Sequence, residues 1–177
     1  MRKAMYLMGE FDDRDVAWLG SHGRVRRLAG GDVLVREGAE VDALFIVLDG
    51  AMTVRAGATE VARLGAGELV GEISFVDDRL PRATVTAAGA TRVLGIDRAV
   101  LREKLRRDNA FAARFYRALA IFLADRLRTT TTRLGYGPAA QDAGEGERED
   151  IGDALMETVS LGSQRFDQLL RQLSGAR

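Results

Sequence analysis

The chain has 177 residues, 46% hydrophobic and 29% charged, which is enough apolar matter for one ordinary core and far from a disordered composition. Lys+Arg and Asp+Glu balance at 26 each, so the basic excess expected of a protein bound along nucleic-acid phosphates is missing. There is no cysteine and a single histidine, His22, which excludes disulfides, thiolate nucleophiles, Cys/His zinc sites and any metal site needing two imidazoles.

At the N-terminus, Met1-Arg2-Lys3 is charged, but the apolar run after it stops at Gly9-Glu10, too short for a secretory core. The longest apolar stretch, Ala118–Ala124, falls far below the ~20 residues that span a bilayer. A cytoplasmic protein with no membrane partner is the expectation. An acidic first turn and the apolar Val16, Trp18 and Leu19 predict a short helix over Asp12–Leu19.

Glycines then recur every few residues from Gly30 to Gly95, separating short runs of β-formers. The runs are Asp32–Val35, Ala43–Leu48, Ala51–Arg55, Glu60–Leu64, Thr84–Ala87 and Thr91–Ile96. Many short strands at close spacing predict a small sandwich, roll or barrel over residues 25–97. Asp49-Gly50, between two apolar runs, reads as a hairpin turn.

Helices follow. Asp97 is a candidate N-cap for Arg98–Arg106, and Asp108 or Asn109 for a long helix over Ala110–Arg133. In that helix Phe111, Phe115, Leu119 and Phe122 recur at three or four residues, a stripe suited to packing on the strands or on a twin helix. Too apolar for one face of a lone helix, it predicts a homodimer through Ala110–Arg133. Gly135-Tyr136-Gly137-Pro138 and the small, acidic stretch after it read as a linker over 135–150. A final amphipathic helix is expected over Ile151–Leu173, with Phe166, Leu169 and Leu170 costly to leave in water. The domain reading is therefore 1–134, linker 135–150 and tail 151–177.

The chain is poorly equipped as an enzyme. His22 sits in the polar turn Gly20-Ser21-His22-Gly23, and no nucleophile elbow, Walker loop or metal-ligand cluster is present. What departs from background is Gly71-Glu72-Ile73-Ser74-Phe75, followed by Leu80-Pro81-Arg82-Ala83-Thr84-Val85. Such a segment can hold a small anionic sugar phosphate. Backbone N–H groups opening a helical turn face an anion, a carboxylate accepts from a ribose hydroxyl, and a guanidinium forks onto phosphate oxygens.

From about Phe11 to Arg133 the chain resembles the cyclic-nucleotide-binding domain of catabolite activator protein and of protein kinase A regulatory subunits. The resemblance rests on Gly31–Gly38, Ala43–Gly50, Leu64–Gly67, Gly71–Phe75 and Leu94–Asp97. It implies a mainly β fold with flanking helices: an eight-stranded β-roll of jelly-roll type, a phosphate-binding cassette and a C-terminal helix closing over the base. Glu72 matches the ribose-binding glutamate, with Gly71, Ile73 and Ser74 as backbone donors. Arg82 matches the phosphate arginine, with Ala83 and Thr84 after it, and Ala83 leans toward cAMP over cGMP. Thr130 and Thr131 match positions set against the base.

One departure concerns register. Ten residues separate Glu72 from Arg82, as in the bacterial regulators, yet Arg82 lies three residues before Val85 where the family has four. Either the loop Val76–Pro81 absorbs the slip, or Arg82 faces away, since one residue of slip in a strand reverses a side chain. The DNA-reading relatives carry more chain after the dimer helix than Gly135–Arg177 provides, so no DNA partner is expected. The expected function is a stand-alone cAMP or cGMP sensor without a cofactor, acting through a protein partner on Ile151–Leu173. The alternative is a scaffold that keeps the roll and has lost its ligand.

Overall fold

The structure is a computed structural model that describes residues 8–133 and 145–175; side chains are described for 8–124, 127, 158 and 160–175. Helix α1 (Asp13–His22) leads into strands β1 (Arg24–Leu28), β2 (Val33–Val35), β3 (Ala43–Asp49), β4 (Ala51–Ala56), β5 (Thr59–Gly65) and β6 (Leu69–Val70). A short helix, α2 (Glu72–Asp77), precedes β7 (Thr84–Ala87) and β8 (Thr91–Asp97). Three helices follow: α3 (Arg98–Arg107), α4 (Asn109–Arg133) and α5 (Glu145–Gly175). The strands form two four-stranded antiparallel sheets, ordered β1-β8-β3-β6 and β2-β7-β4-β5. This is the mainly β roll with flanking helices that the sequence predicts.

Strand β3 explains the layering. Phe45 and Val47 face the space between the sheets, while Leu44, Ile46 and Leu48 face the helices, so the strand is buried on both sides. An unbroken apolar run is the pattern such a strand must have. Beside it Gly95 pairs with Phe45, and a Cβ there would come within 2.9 Å of the Phe45 ring. Glycine is therefore required for the ring to lie flat on β8.

The expected hairpin at Asp49-Gly50 does not form. The strands on either side, β3 and β4, belong to different sheets. Neighbouring β8 pairs with β3, and a Cβ on Gly50 would meet Ala90 O at 2.6 Å, so the turn is a tight corner between sheets. Gly50 has φ +84°, the left-handed geometry that a corner shares with a hairpin turn, which is why the local signal misleads. The hairpin lies one strand later, where Ala56 pairs with Thr59 around Gly57.

The apolar stripe of α4 is spent within the chain. Phe111, Phe115, Ala118, Leu119 and Phe122 are all buried in the helix-side core with Leu44, Ile46 and Leu94. The stripe expected to pair with a second copy through Ala110–Arg133 is thus covered by the chain's own core, while Tyr116 and Leu127 of the same helix are exposed. The tail helix also differs: it begins at Glu145, inside the expected linker, and buries Phe166 and Leu169 in the same core. Ile151–Leu173 thus has part of its apolar face covered by its own chain. The remainder of the linker lies outside the described residues.

Polar contacts fix the helical layer. Asp12 and Asp15 form a capping box at the start of α1. The Asp15 carboxylate, almost fully buried, accepts two bonds from Arg114 of α4 at 2.6 and 2.9 Å. Asp15→Ala should lower stability by about 1.5–3 kcal/mol in denaturant unfolding, because it removes two charge-assisted bonds and leaves Arg114 with Asp12, at 3.2 Å.

The Asp15 N–H holds the Asp12 carboxyl below its ordinary value of 3.8; burial opposes this, and Arg114 adds to the lowering. A depressed folded value means stabilisation that is present above the unfolded value and lost as pH falls through the folded one. Asp12→Asn should accordingly flatten the loss of stability on acidification below about pH 4.

Candidate functional site

A cleft of about 360 Å³ opens where the interior of the roll meets α2, within the size range of small-molecule sites. Its apolar wall comes from Val35, Val54, Val61, Leu64, Leu69 and Val85, and the polar side from α2 and the loop after it. Gly71, Glu72, Ile73, Ser74, Arg82 and Ala83 all line it. Six of the nine expected site residues therefore share one hollow.

Local sequence explains the cassette. Gly71 caps α2 with φ +91°, and a Cβ there would lie 3.1 Å from Ala43 O, so both backbone and space favour glycine. No side chain caps the helix. The first turn of α2, Glu72-Ile73-Ser74, points the N-terminal end of the helix at the cleft that it borders. The Glu72 side chain is 3% exposed, whereas Ile73 is 52% exposed at the rim. Val61 and Leu80 are half-exposed beside Ile73, giving the mouth an aliphatic lip.

The register question resolves in the loop. Val85 and Ala87 point inward from β7, so a strand continued back to Arg82 would turn it outward. The strand instead starts at Thr84, and the Gly38 N–H holds the Pro81 carbonyl at 2.9 Å. The bend at Arg82-Ala83 brings Arg82 to the mouth of the cleft. It remains exposed there, with no ion pair or hydrogen bond to any described residue.

Thr84 is not part of the cleft: its hydroxyl accepts from the Glu37 N–H at 3.1 Å on the other side of the strand. Thr130 and Thr131 fall near the end of α4, where their side chains lie outside the described residues. His22 ends α1 at the surface, its ring stacked 4.6 Å from Trp18. Among the described residues no group of three His, Cys, Asp or Glu could hold a metal ion, and no helix is long and apolar enough to cross a membrane.

Sequence reasoning missed Arg98, the residue that fastens the cassette to the rest of the protein. From the first position of α3 its guanidinium donates to Val41 O at 3.1 Å, Ser74 O at 2.8 Å and Asp78 Oδ1 at 2.7 Å. It also lies 5.6 Å from the centre of the Phe75 ring. Asp78, the αL cap of α2, additionally pairs with Arg102. Only the tertiary structure brings residues 41, 74 and 98 together; the one local trace was an arginine directly after a strand's last aspartate.

Fold and cleft together define a β-roll module with a hollow of small-molecule size beside a glycine-capped turn. Residues 25–108 match the family described as the cyclic nucleotide-binding domain. A cyclic nucleotide-binding domain from Methylobacillus flagellatus superposes with TM-score 0.68 at 21% identity, covering 79% of this chain and 85% of that one. The N-terminal domain of a transcriptional regulator from Streptomyces coelicolor is 28% identical with TM-score 0.59, covering 78% of this chain and 96% of that one. Over 101 residues the chain is 30% identical to a Rhodopseudomonas palustris protein named as a potassium channel protein. That match takes in 55% of this chain and 24% of the relative, so this chain spans only part of its length.

Arg98→Ala should lower stability by about 2–4 kcal/mol, since it leaves buried carbonyls of two segments without their donor. Amide exchange over residues 71–77 should accelerate in the same variant. Arg98→Lys, with a point charge in place of a fork, should restore only part of the loss.

Proposed function

We propose that the cleft binds a cyclic mononucleotide and that the chain is a regulatory module rather than an enzyme. Glu72 accepts from a ribose hydroxyl, the N–H groups at the start of α2 face the cyclic phosphate, and Arg82 folds over it from the loop. The observation that carries this reading is the conjunction in one 360 Å³ cleft of a buried carboxylate, a glycine-capped helical turn and an uncommitted guanidinium. The aliphatic wall and lip suit the base and the sugar ring. Ala83, where the family resemblance sets a hydroxyl in cGMP-preferring members, favours cAMP. Output through a protein partner fits a helix, α5, that lies beyond the matched domain.

A second reading is a scaffold that keeps the fold without its ligand. One observation favours it: Arg82 is exposed, and no hydrogen bond or ion pair to a described residue holds it toward the cleft.

Titration calorimetry with cAMP and cGMP separates the two. Wild type should bind at micromolar concentration or tighter, with cAMP preferred. Glu72→Ala and Arg82→Ala should each weaken binding about a hundredfold, roughly 2.7 kcal/mol, as expected for loss of a charge-assisted contact. Thermal unfolding of each variant controls for damage to the fold. No heat for either nucleotide up to millimolar concentration would leave the scaffold reading standing.

A further inference from the structure

Helix α5 lies outside the matched domain, yet it is wired into the core that supports the cleft. Its second half lies along α1. Phe166 and Leu169 are buried, and the Gln172 amide donates to Ala17 O at 3.2 Å. Arg165 donates to Gly9 O at 3.0 Å and to Met8 O at 3.4 Å, and pairs with Asp13 at 3.4 Å. The approach is close at both ends: a Cβ on Gly9 would meet Thr158 O at 2.4 Å, and one on Gly20 would meet Gln172 Cδ at 2.5 Å. Two buried side chains, the half-buried Leu170 and Leu173 and a few polar bonds make this a smaller unit than the roll, of the kind that opens more readily than the whole domain.

Rings continue the path. Phe11, beside α1, stacks on Phe111 at 5.5 Å and on Phe115 at 6.5 Å, and Trp18 of α1 lies 5.4 Å from Phe111. Phe115 then meets the edge of Phe75 at 5.8 Å. Phe75 belongs to α2, whose first turn walls the cleft. From α5 to the cleft, therefore, each element packs on the next without a gap. The cleft has its formed shape in a structure where α5 is docked.

We infer that docking of α5 on α1 and ligand binding in the cleft reinforce each other. This rests on the nucleotide reading above and adds to it the element that responds. A ligand that selects the packed arrangement of α2 also selects the docked α5. By linkage, a docked α5 strengthens binding by the same factor with which ligand strengthens docking. The bound form therefore withdraws the apolar face of α5 and the α1 seat from any partner, and the free form offers them.

Hydrogen exchange on the full chain tests this, with cAMP and cGMP as probes. Bound nucleotide should slow exchange at least fivefold both at residues 71–77 and at residues 158–175. Phe166→Ala, which undocks α5, should weaken nucleotide binding at least fivefold, and Arg165→Ala should do so to a smaller degree. If Phe166→Ala fails to fold, Arg165→Ala and the wild-type exchange pattern decide. Protection at 71–77 with unchanged or faster exchange at 158–175 overturns the coupling while leaving nucleotide binding intact. Equal or tighter binding by a folded undocked variant overturns it as well. Absence of protection at 71–77 with either nucleotide instead removes the nucleotide reading, and this inference with it.

Discussion

Burial of β3 on both faces is the constraint from which the rest of the structure follows. Phe45 and Val47 close the space between the sheets, and Leu44, Ile46 and Leu48 carry the helices. Each such side chain contributes about 1.5–3 kcal/mol on leaving water, so both layers are anchored to one strand. The edges of β3 are taken by β8 and β6, so the chain leaves it at a corner rather than in a hairpin. That corner sends β4 into the opposite sheet, and the hollow between the sheets opens at the end where α2 is inserted.

The cleft divides its labour unevenly between two charges. Glu72 is held inside the protein, while Arg82 stands in solvent at the mouth. A buried carboxylate is costly to move and therefore positioned in advance, whereas an exposed guanidinium loses conformational freedom when it closes on an anion. Affinity in such a site depends on how firmly α2 is held. Arg98 supplies that firmness by tying the carbonyls of Val41 and Ser74 to the start of α3.

The helical layer has two duties that share the same side chains. Phe115 belongs to the stripe that covers the outer sheet, and it is also the ring against which Phe75 rests. Spending α4 on the interior leaves α5 to find its seat on α1, with Gly9 and Gly20 allowing close approach. Through Phe75 the cassette therefore rests on the same rings that pack beside α1.

Much was legible in the amino-acid order alone. The alternation of apolar residues and the spaced glycines mark the strands, three-and-four spacing marks α4, and Gly71-Glu72 with Arg82 ten residues on marks the cassette. These are local properties, set by which face of a strand or helix is apolar and by where the backbone must turn left-handed. What only the tertiary structure decided is which partner each face meets. Asp49-Gly50 turned out to be a corner because β8 pairs with β3, and the α4 stripe was covered by the sheet of its own chain. Arg82 reached the cleft because β7 starts late, and Arg98 became the clamp because residues 41 and 74 fold beside it. Periodicity records that a surface must be covered, but the choice of cover depends on contacts between residues far apart in the chain, and no local window contains them.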